Sequence, residues 1–301
     1  MGPTGIPYLE LGWNPVVGCS GDGCKANCWA RALHGQRHKA YHEGKKVPAQ
    51  YAKPFHEVQC LPERLDEILH RRKPAVIGAC FTSELFDRQV PDEFLHHSLH
   101  TMAMCGEHTL VLLTKQAQRM HDFLSAYQEH RYDHSLSDWR APFARTAVTA
   151  GAPGKAWPLP NIHLGVSVTD QADADERLPH LCALAAQGWK TWVSYGPALG
   201  PIEWRDEWLG YTPPGASSFA GRTSGAGIGG IIMECEAGPG ARWPERKEWR
   251  RMVRGTRDAC AATGVPFYLK QEPDWEHPGR VVHAPLLDGR QWLDLPWQVK
   301  P

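Results

Sequence analysis

The chain has 301 residues, 42% of them hydrophobic and 22% charged, which fits one large domain or two small ones and excludes a disordered or collagen-like polymer. Lys and Arg number 33, as do Asp and Glu, so the net charge is zero and any binding to nucleic acid requires a local patch. No run approaches the roughly 18 apolar residues of a membrane span. Met1–Trp13 has neither a basic start nor an apolar block, so a soluble, cytoplasmic protein is expected, with no membrane partner.

In chain order, the first distinctive segment is a Gly-rich loop over 13–30, WNPVVGCSGDGCKANCWA, with Cys19, Cys24 and Cys28 spaced C-x4-C-x3-C. The chain holds nine Cys, and without an export signal metal or thiol chemistry is expected rather than a disulfide framework. Three close thiolates can converge on one metal centre. A structural zinc site takes four ligands, whereas a 4Fe-4S cluster held by three Cys keeps one iron open. The residues alone leave two alternatives: zinc with His34 as fourth ligand, and plain thiols.

Arg31–His56 follows, with Arg31, Arg37, Lys39, Lys45, Lys46 and Lys53 against the single acid Glu43. It reads either as a solvated helix face or as a contact for a phosphate backbone. In the second reading Arg31, Arg37, Lys39, Lys45 and Lys46 bind DNA, and Tyr41, Tyr51, Trp139 and Trp157 are available to stack on bases.

From Glu63 onward apolar runs alternate with helical stretches. The runs are Ala75–Phe81, Thr109–Leu113, Ile162–Val168, Thr191–Ser194, Ile231–Met233 and Pro266–Leu269. Each is continuous rather than alternating, which suits parallel strands buried on both faces. Helices are expected over Glu63–Arg72, Pro91–Met104, Gln118–Glu129, Ala172–Gln187 and Glu245–Thr263. This order predicts an α/β protein, a parallel and partial β/α barrel of about six strands, in one domain over 1–301. Two irregular insertions, 131–161 and 211–230, read as surface loops or as lids over the sheet.

The motif set resembles the three-cysteine proteins of phages and prophages, members of the radical S-adenosylmethionine (SAM) superfamily related to spore photoproduct lyase. WNPVVGC with two further Cys carries the resemblance. So do FTSELFDRQVPDEF, HTLVLLTKQAQRM, IHLGVSVTDQADADERLP, GPALGPIEW, ECEAGPGARWP, TGVPFYLKQ and LDGRQW, in that order. This chain departs from the family where three residues separate Cys24 and Cys28, at Gly196, and at Glu234–Glu236.

The resemblance implies a 4Fe-4S cluster on Cys19, Cys24 and Cys28, SAM as cofactor, an electron donor, and a site at the carboxyl ends of the strands. By chemical type Ser83, Glu84, Lys115, Ser167, Thr169, Asp170 and Glu236 are the candidates to bind SAM there. Cys235 is the candidate hydrogen-atom donor, against the plainer reading of a core thiol. The expected reaction is modification of a DNA base, such as rearrangement of an amino-acid adduct on the thymidine methyl carbon in phage hypermodification, with the host cytoplasm as its location. The alternatives are repair of a thymine lesion and a zinc-stabilised nucleic-acid-binding module.

Overall fold

A computed structural model describes residues 1–21, 27–130, 157–210 and 227–298, apart from the side chains of 127–130. Cys24, Trp139 and most of both expected insertions lie outside the described residues. The chain runs β1 (Gly2–Pro3), β2 (Leu11–Trp13), β3 (Val16–Val17), α1 (Trp29–His42), β4 (Gln59–Cys60), β5 (Val76–Ala79), α2 (Asp92–Met104), β6 (Thr109–Thr114) and α3 (Ala117–His130). It continues through β7 (Ile162–Val168), α4 (Gln171–Ala186), β8 (Lys190–Tyr195), β9 (Ile231–Glu234), α5 (Arg246–Thr263), β10 (Phe267–Pro273) and β11 (Val281–His283).

The protein is α/β, built on a nine-stranded sheet in the order β1-β2-β5-β6-β7-β8-β9-β10-β11. From β2 to β10 all neighbours are parallel, and β1 and β11 are antiparallel edges. All six expected runs are strands. The additional parallel strand, β2, is three residues long and has no apolar run to announce it. Strand order follows chain order, so each crossover steps the same way. Among the described residues the edges do not pair with one another, and the sheet is open. The small β3–β4 ribbon stands apart from it.

One expected helix differs. In place of Glu63–Arg72 stands a shorter 3₁₀ segment over Pro62–Ile68, in which Leu65 and Ile68 are buried. These two lie three residues apart, and a helix of three residues per turn puts both on one side.

Helices α2 to α5 pack on one face of the sheet. Leu95 and Leu99 of α2, Met120 of α3, Leu178 of α4 and Val253 of α5 share a core with Ile77, Leu112, Leu164, Val193, Met233 and Leu269. The opposite face carries Val111, Trp192, Ile232 and Tyr268, covered by Tyr8, Leu9 and Leu295 from near the chain ends. Trp192 lies flat over Gly165, where an added Cβ would fall 2.3 Å from the indole, and its Nε1 donates to the Leu112 carbonyl at 3.1 Å. Among the described residues no helix is long and apolar enough to cross a membrane.

Candidate active site

Strand alternation sorts the carboxyl ends of the strands. Val166 and Val168, Val193 and Tyr195, Met233 and Cys235, and Leu269 belong to the helix-side core. Ser167, Ser194, Glu234 and Lys270 therefore stand on the opposite, inner face. Glu234 and Lys270 form an ion pair there, and the Lys270 ammonium sits 5.8 Å from the centre of the Tyr8 ring. An added Cβ on Gly196 would fall 2.4 Å from Cγ of Glu234, so the absence of a side chain at 196 makes room for that acid.

The described residues on either side of Cys24 are fastened near this mouth. On one side, Cys19 donates its amide to the Phe55 carbonyl at 2.8 Å, and Gly18 accepts from the Glu84 amide at 3.3 Å. Gly18 has φ +93, and a Cβ there would meet the Phe55 oxygen at 2.7 Å, so only glycine fits. Ser20 donates both its amide and its hydroxyl to Asp87, each at 2.7 Å. Glu84 and Asp87 both follow β5. On the other side, Asn27 donates to the Gly240 carbonyl at 3.0 Å and to Glu236 at 3.4 Å, both after β9.

The sulfurs of Cys19 and Cys28 are in surroundings that suit thiolates. Gly21 N–H donates to Cys19 Sγ and Arg31 N–H to Cys28 Sγ, each at 3.4 Å. Cys28 is the N-cap of α1, where the helix dipole favours a negative sulfur. Amide-to-sulfur hydrogen bonds also support iron–sulfur ligation, so these two residues fit a cluster. Among the described residues, which exclude Cys24, no group of three His, Cys, Asp or Glu is placed to hold a metal.

Most of the other predicted residues are engaged with other groups of the chain. Glu84 is buried and acts as an internal brace: its carboxylate accepts from Thr114 Oγ1 at 2.6 Å and from the amides of Phe86 and Lys115 at 3.1 Å each. Burial pushes its carboxyl up, and those hydrogen bonds oppose the rise. Ser83 donates to the Val16 carbonyl at 2.7 Å. Thr169 and Asp170 form the start of α4, with Asp170 accepting from the Asp173 amide at 3.1 Å and Thr169 donating to the Asp173 carboxylate at 2.7 Å. Ser167 donates to the Gly196 carbonyl at 3.1 Å. Glu236 is clamped by Arg242, at 2.7 Å from the backbone amide and at 3.0 and 2.7 Å from the guanidinium. Cys235 is 2% exposed in the helix-side core, and burial raises its thiol to about 12.

His34 is already engaged. It is buried, its Nε2 donates to the Lys53 carbonyl at 2.9 Å, and its ring packs between Tyr51 and Phe55. His38 and His42 continue this face, donating to the carbonyls of Tyr51 at 2.8 Å and Ala52 at 3.2 Å. The bond to Lys53 turns the His34 imidazole toward the 49–55 segment of the chain. The cations of α1 are partly occupied as well. Arg37 bonds the Tyr51 hydroxyl, while Lys45 and Lys39 reach Glu43 at 2.7 and 3.8 Å. Arg31 and Lys46 are exposed.

Residues 3–296 match the family described as protein of unknown function, DUF5131. The chain belongs to the DUF5131 family. No curated protein matches it. Among solved structures, the DUF5131 chain is similar to a cysteine-to-serine mutant of spore photoproduct lyase, at 13% identity and TM-score 0.39, covering 93% of this chain and 69% of that one. It is also similar to spore photoproduct lyase complexed with dinucleoside spore photoproduct, at 12% identity and TM-score 0.37, with the same coverage. These likenesses are loose.

Sequence reasoning missed four residues that shape the mouth of this DUF5131 protein: Asn27, Asp87, Glu234 and Lys270 in their present roles. Asp87 lies inside FTSELFDRQV, and its carboxylate follows a strand end, which was the available signal. Glu234 and Lys270 were visible as strand-end residues, but only the parallel pairing of β9 with β10 brings them together.

Proposed function

We propose that the protein is a radical SAM enzyme that modifies a DNA base, with Cys19, Cys24 and Cys28 holding a 4Fe-4S cluster and SAM lying across the carboxyl strand ends. One observation carries this reading. Ser20 and Asn27, on either side of Cys24 in the chain, are tied to Asp87 after β5 and to Glu236 after β9, at the carboxyl ends of a parallel sheet. In such sheets ligands bind outside the carboxyl ends of the strands. Cys19, Cys24 and Cys28 would hold the cluster there, and the chemistry it would supply is one-electron reduction of SAM.

The chain's own groups bind and orient. Amides from Gly21 and Arg31 hold the sulfurs, and Asp87 fixes the backbone between Cys19 and Gly21. Ser167, Thr169 and Asp170 edge the mouth above β7, and Lys115 does so above β6. On the inner face Lys270 offers a cation and Glu234 an anion to a polar ligand. The aromatic layer of Tyr8, Trp192 and Tyr268 closes the floor and excludes water from it. The finer reading is rearrangement of an amino-acid adduct on the thymidine methyl carbon during phage DNA hypermodification, with a separate electron donor.

The test is anaerobic reconstitution, then incubation with SAM, dithionite and candidate DNAs, with mass spectrometry of the nucleosides. The expected result is about four irons per chain, SAM cleavage, and loss of both in Cys19→Ala, Cys24→Ala or Cys28→Ala. One zinc with no iron after anaerobic preparation overturns the reading. A product with the adduct rearranged supports the finer reading, and a restored thymine pair supports lesion repair instead.

A further inference from the structure

A second basic surface stands at the start of α5. The first two turns of α5 expose Arg246, Lys247, Arg250 and Arg251, in a chain whose net charge is zero. Arg251 reaches Glu248 at 3.6 Å. Arg250 and Arg246 act on the Glu272 carboxyl, but among the described residues no carboxylate lies within 4.0 Å of the charged nitrogens of Arg246, Lys247 or Arg250. Two indoles flank this turn. The Arg246 guanidinium lies 5.9 Å from the ring centre of Trp275, and Trp275 meets Trp243 edge-on at 5.9 Å. Both rings are partly exposed. Trp243 is also fixed in place, since its Nε1 donates to the Glu236 carbonyl at 2.8 Å.

This surface is joined to the cysteine loop. Asn27 bonds Glu236 and Gly240, in the same β9–α5 connection that carries Trp243. Two residues after Asn27 stands Trp29, 57% exposed at the first position of α1, followed by the exposed Arg31. Exposed cations and aromatic rings therefore lie on both sides of Asn27. Cations track a phosphate backbone, and partly exposed indoles give stacking platforms that tolerate any base.

We infer that a single strand of DNA is held along the start of α5 beside Asn27, with Arg246, Lys247 and Arg250 on its phosphates and Trp275 and Trp243 beside its bases. This rests on the reading of DNA as substrate and adds where the strand lies. It assigns to α5 the larger share of backbone contact, since Lys39 and Lys45 of the α1 segment are drawn to Glu43 and Arg37 to Tyr51. A strand on this path would run past the mouth, where an unstacked base can enter.

The experiment compares the full-length protein with an Arg246→Ala/Lys247→Ala/Arg250→Ala variant and a Lys45→Ala/Lys46→Ala variant. Each is titrated with a mixed-sequence DNA single strand of about ten nucleotides, over a range of salt, by oligonucleotide anisotropy and by tryptophan fluorescence. The inference expects the α5 variant to lose at least about tenfold in affinity at low salt and to flatten the log–log salt slope by about 0.7 per lost contact. The α1 variant should lose less, and the oligonucleotide should quench tryptophan emission in the parent. An α5 variant that binds like the parent at every salt overturns the inference, as does binding with no quenching that polyphosphate competes equally. Iron content and DNA-independent SAM cleavage are measured on the same samples. Their absence with the α5 effect present defeats the radical SAM reading and leaves the surface standing, while their presence without the α5 effect does the reverse.

Discussion

Ser20 gives both its amide and its hydroxyl to Asp87, each at 2.7 Å, and Asp87 is 1% exposed. A buried carboxylate after β5 thus fixes the residue that follows the first cysteine. The same carboxylate accepts the Gln89 amide at 2.9 Å, so one side chain shapes two turns. Asp87→Ala leaves these donors without their acceptor. Loss of buried hydrogen bonds to a charged group costs about 1–3 kcal/mol, read as a lower denaturation midpoint. The iron retained after reconstitution should fall too, with Asp87→Asn intermediate. Parent-like stability and iron in Asp87→Ala would show that the loop needs no such anchor.

His34 separates the metal readings. Its Nε2 is committed to the Lys53 carbonyl at 2.9 Å, within a cage of Tyr51 and Phe55. Removing the ring in His34→Ala empties a buried site and unpairs a carbonyl, at a cost of about 1–3 kcal/mol. The metal bound per folded chain should be unchanged. A variant that melts like the parent but loses its metal would support the zinc alternative.

Six strands and four of the five expected helices were legible because each carries a continuous or periodic apolar pattern. β7 shows this best: all seven of its residues are buried, and its bounds match the apolar run. What the sequence hid was short or non-local. β2 is three residues held by pairing with β5, and β1 and β11 are edges whose residues bury little. In the site, the thiols were legible from spacing and Gly content. The Asn27–Glu236 link spans 209 residues of chain, and no local pattern encodes it. Asp170 and Thr169 were legible as polar strand-end residues, yet the same position makes them helix caps, and chemical type alone does not separate the two uses.

Gly165 tests the inner floor. A Cβ there would lie 2.3 Å from the Trp192 indole and 2.7 Å from the Leu112 carbonyl oxygen, to which that indole donates. Neither neighbour yields easily, because Trp192 is fully buried. Gly165→Ala should cost about 1–3 kcal/mol through overpacking, measured by urea denaturation with an unchanged m value. Gly35→Ala, on the open side of α1 with no atom within 4 Å of the added carbon, is the control and should be neutral or stabilising. Equal behaviour of the two variants would mean the ring moves aside without cost.

Glu236 gives the acid limb its shape. Burial pushes this carboxyl up, but hydrogen bonds from the Arg242 side chain and amide outweigh burial and hold it below its ordinary value of 4.5. A carboxyl depressed in the folded state stabilises above its unfolded value, and that stability is lost as the pH falls below about 4.5. Glu236→Gln removes the titrating group. The variant should be less stable than the parent at neutral pH, and the gap should narrow as the pH drops below that value. The same change weakens the tie to Asn27, so iron retention at neutral pH should fall as well. Thermal melts across the acid range, with iron measured alongside, check both parts. A gap that stays constant with pH would mean that Glu236 acts through packing alone, and the Arg242 clamp would then have no electrostatic share in holding the far end of the cysteine loop.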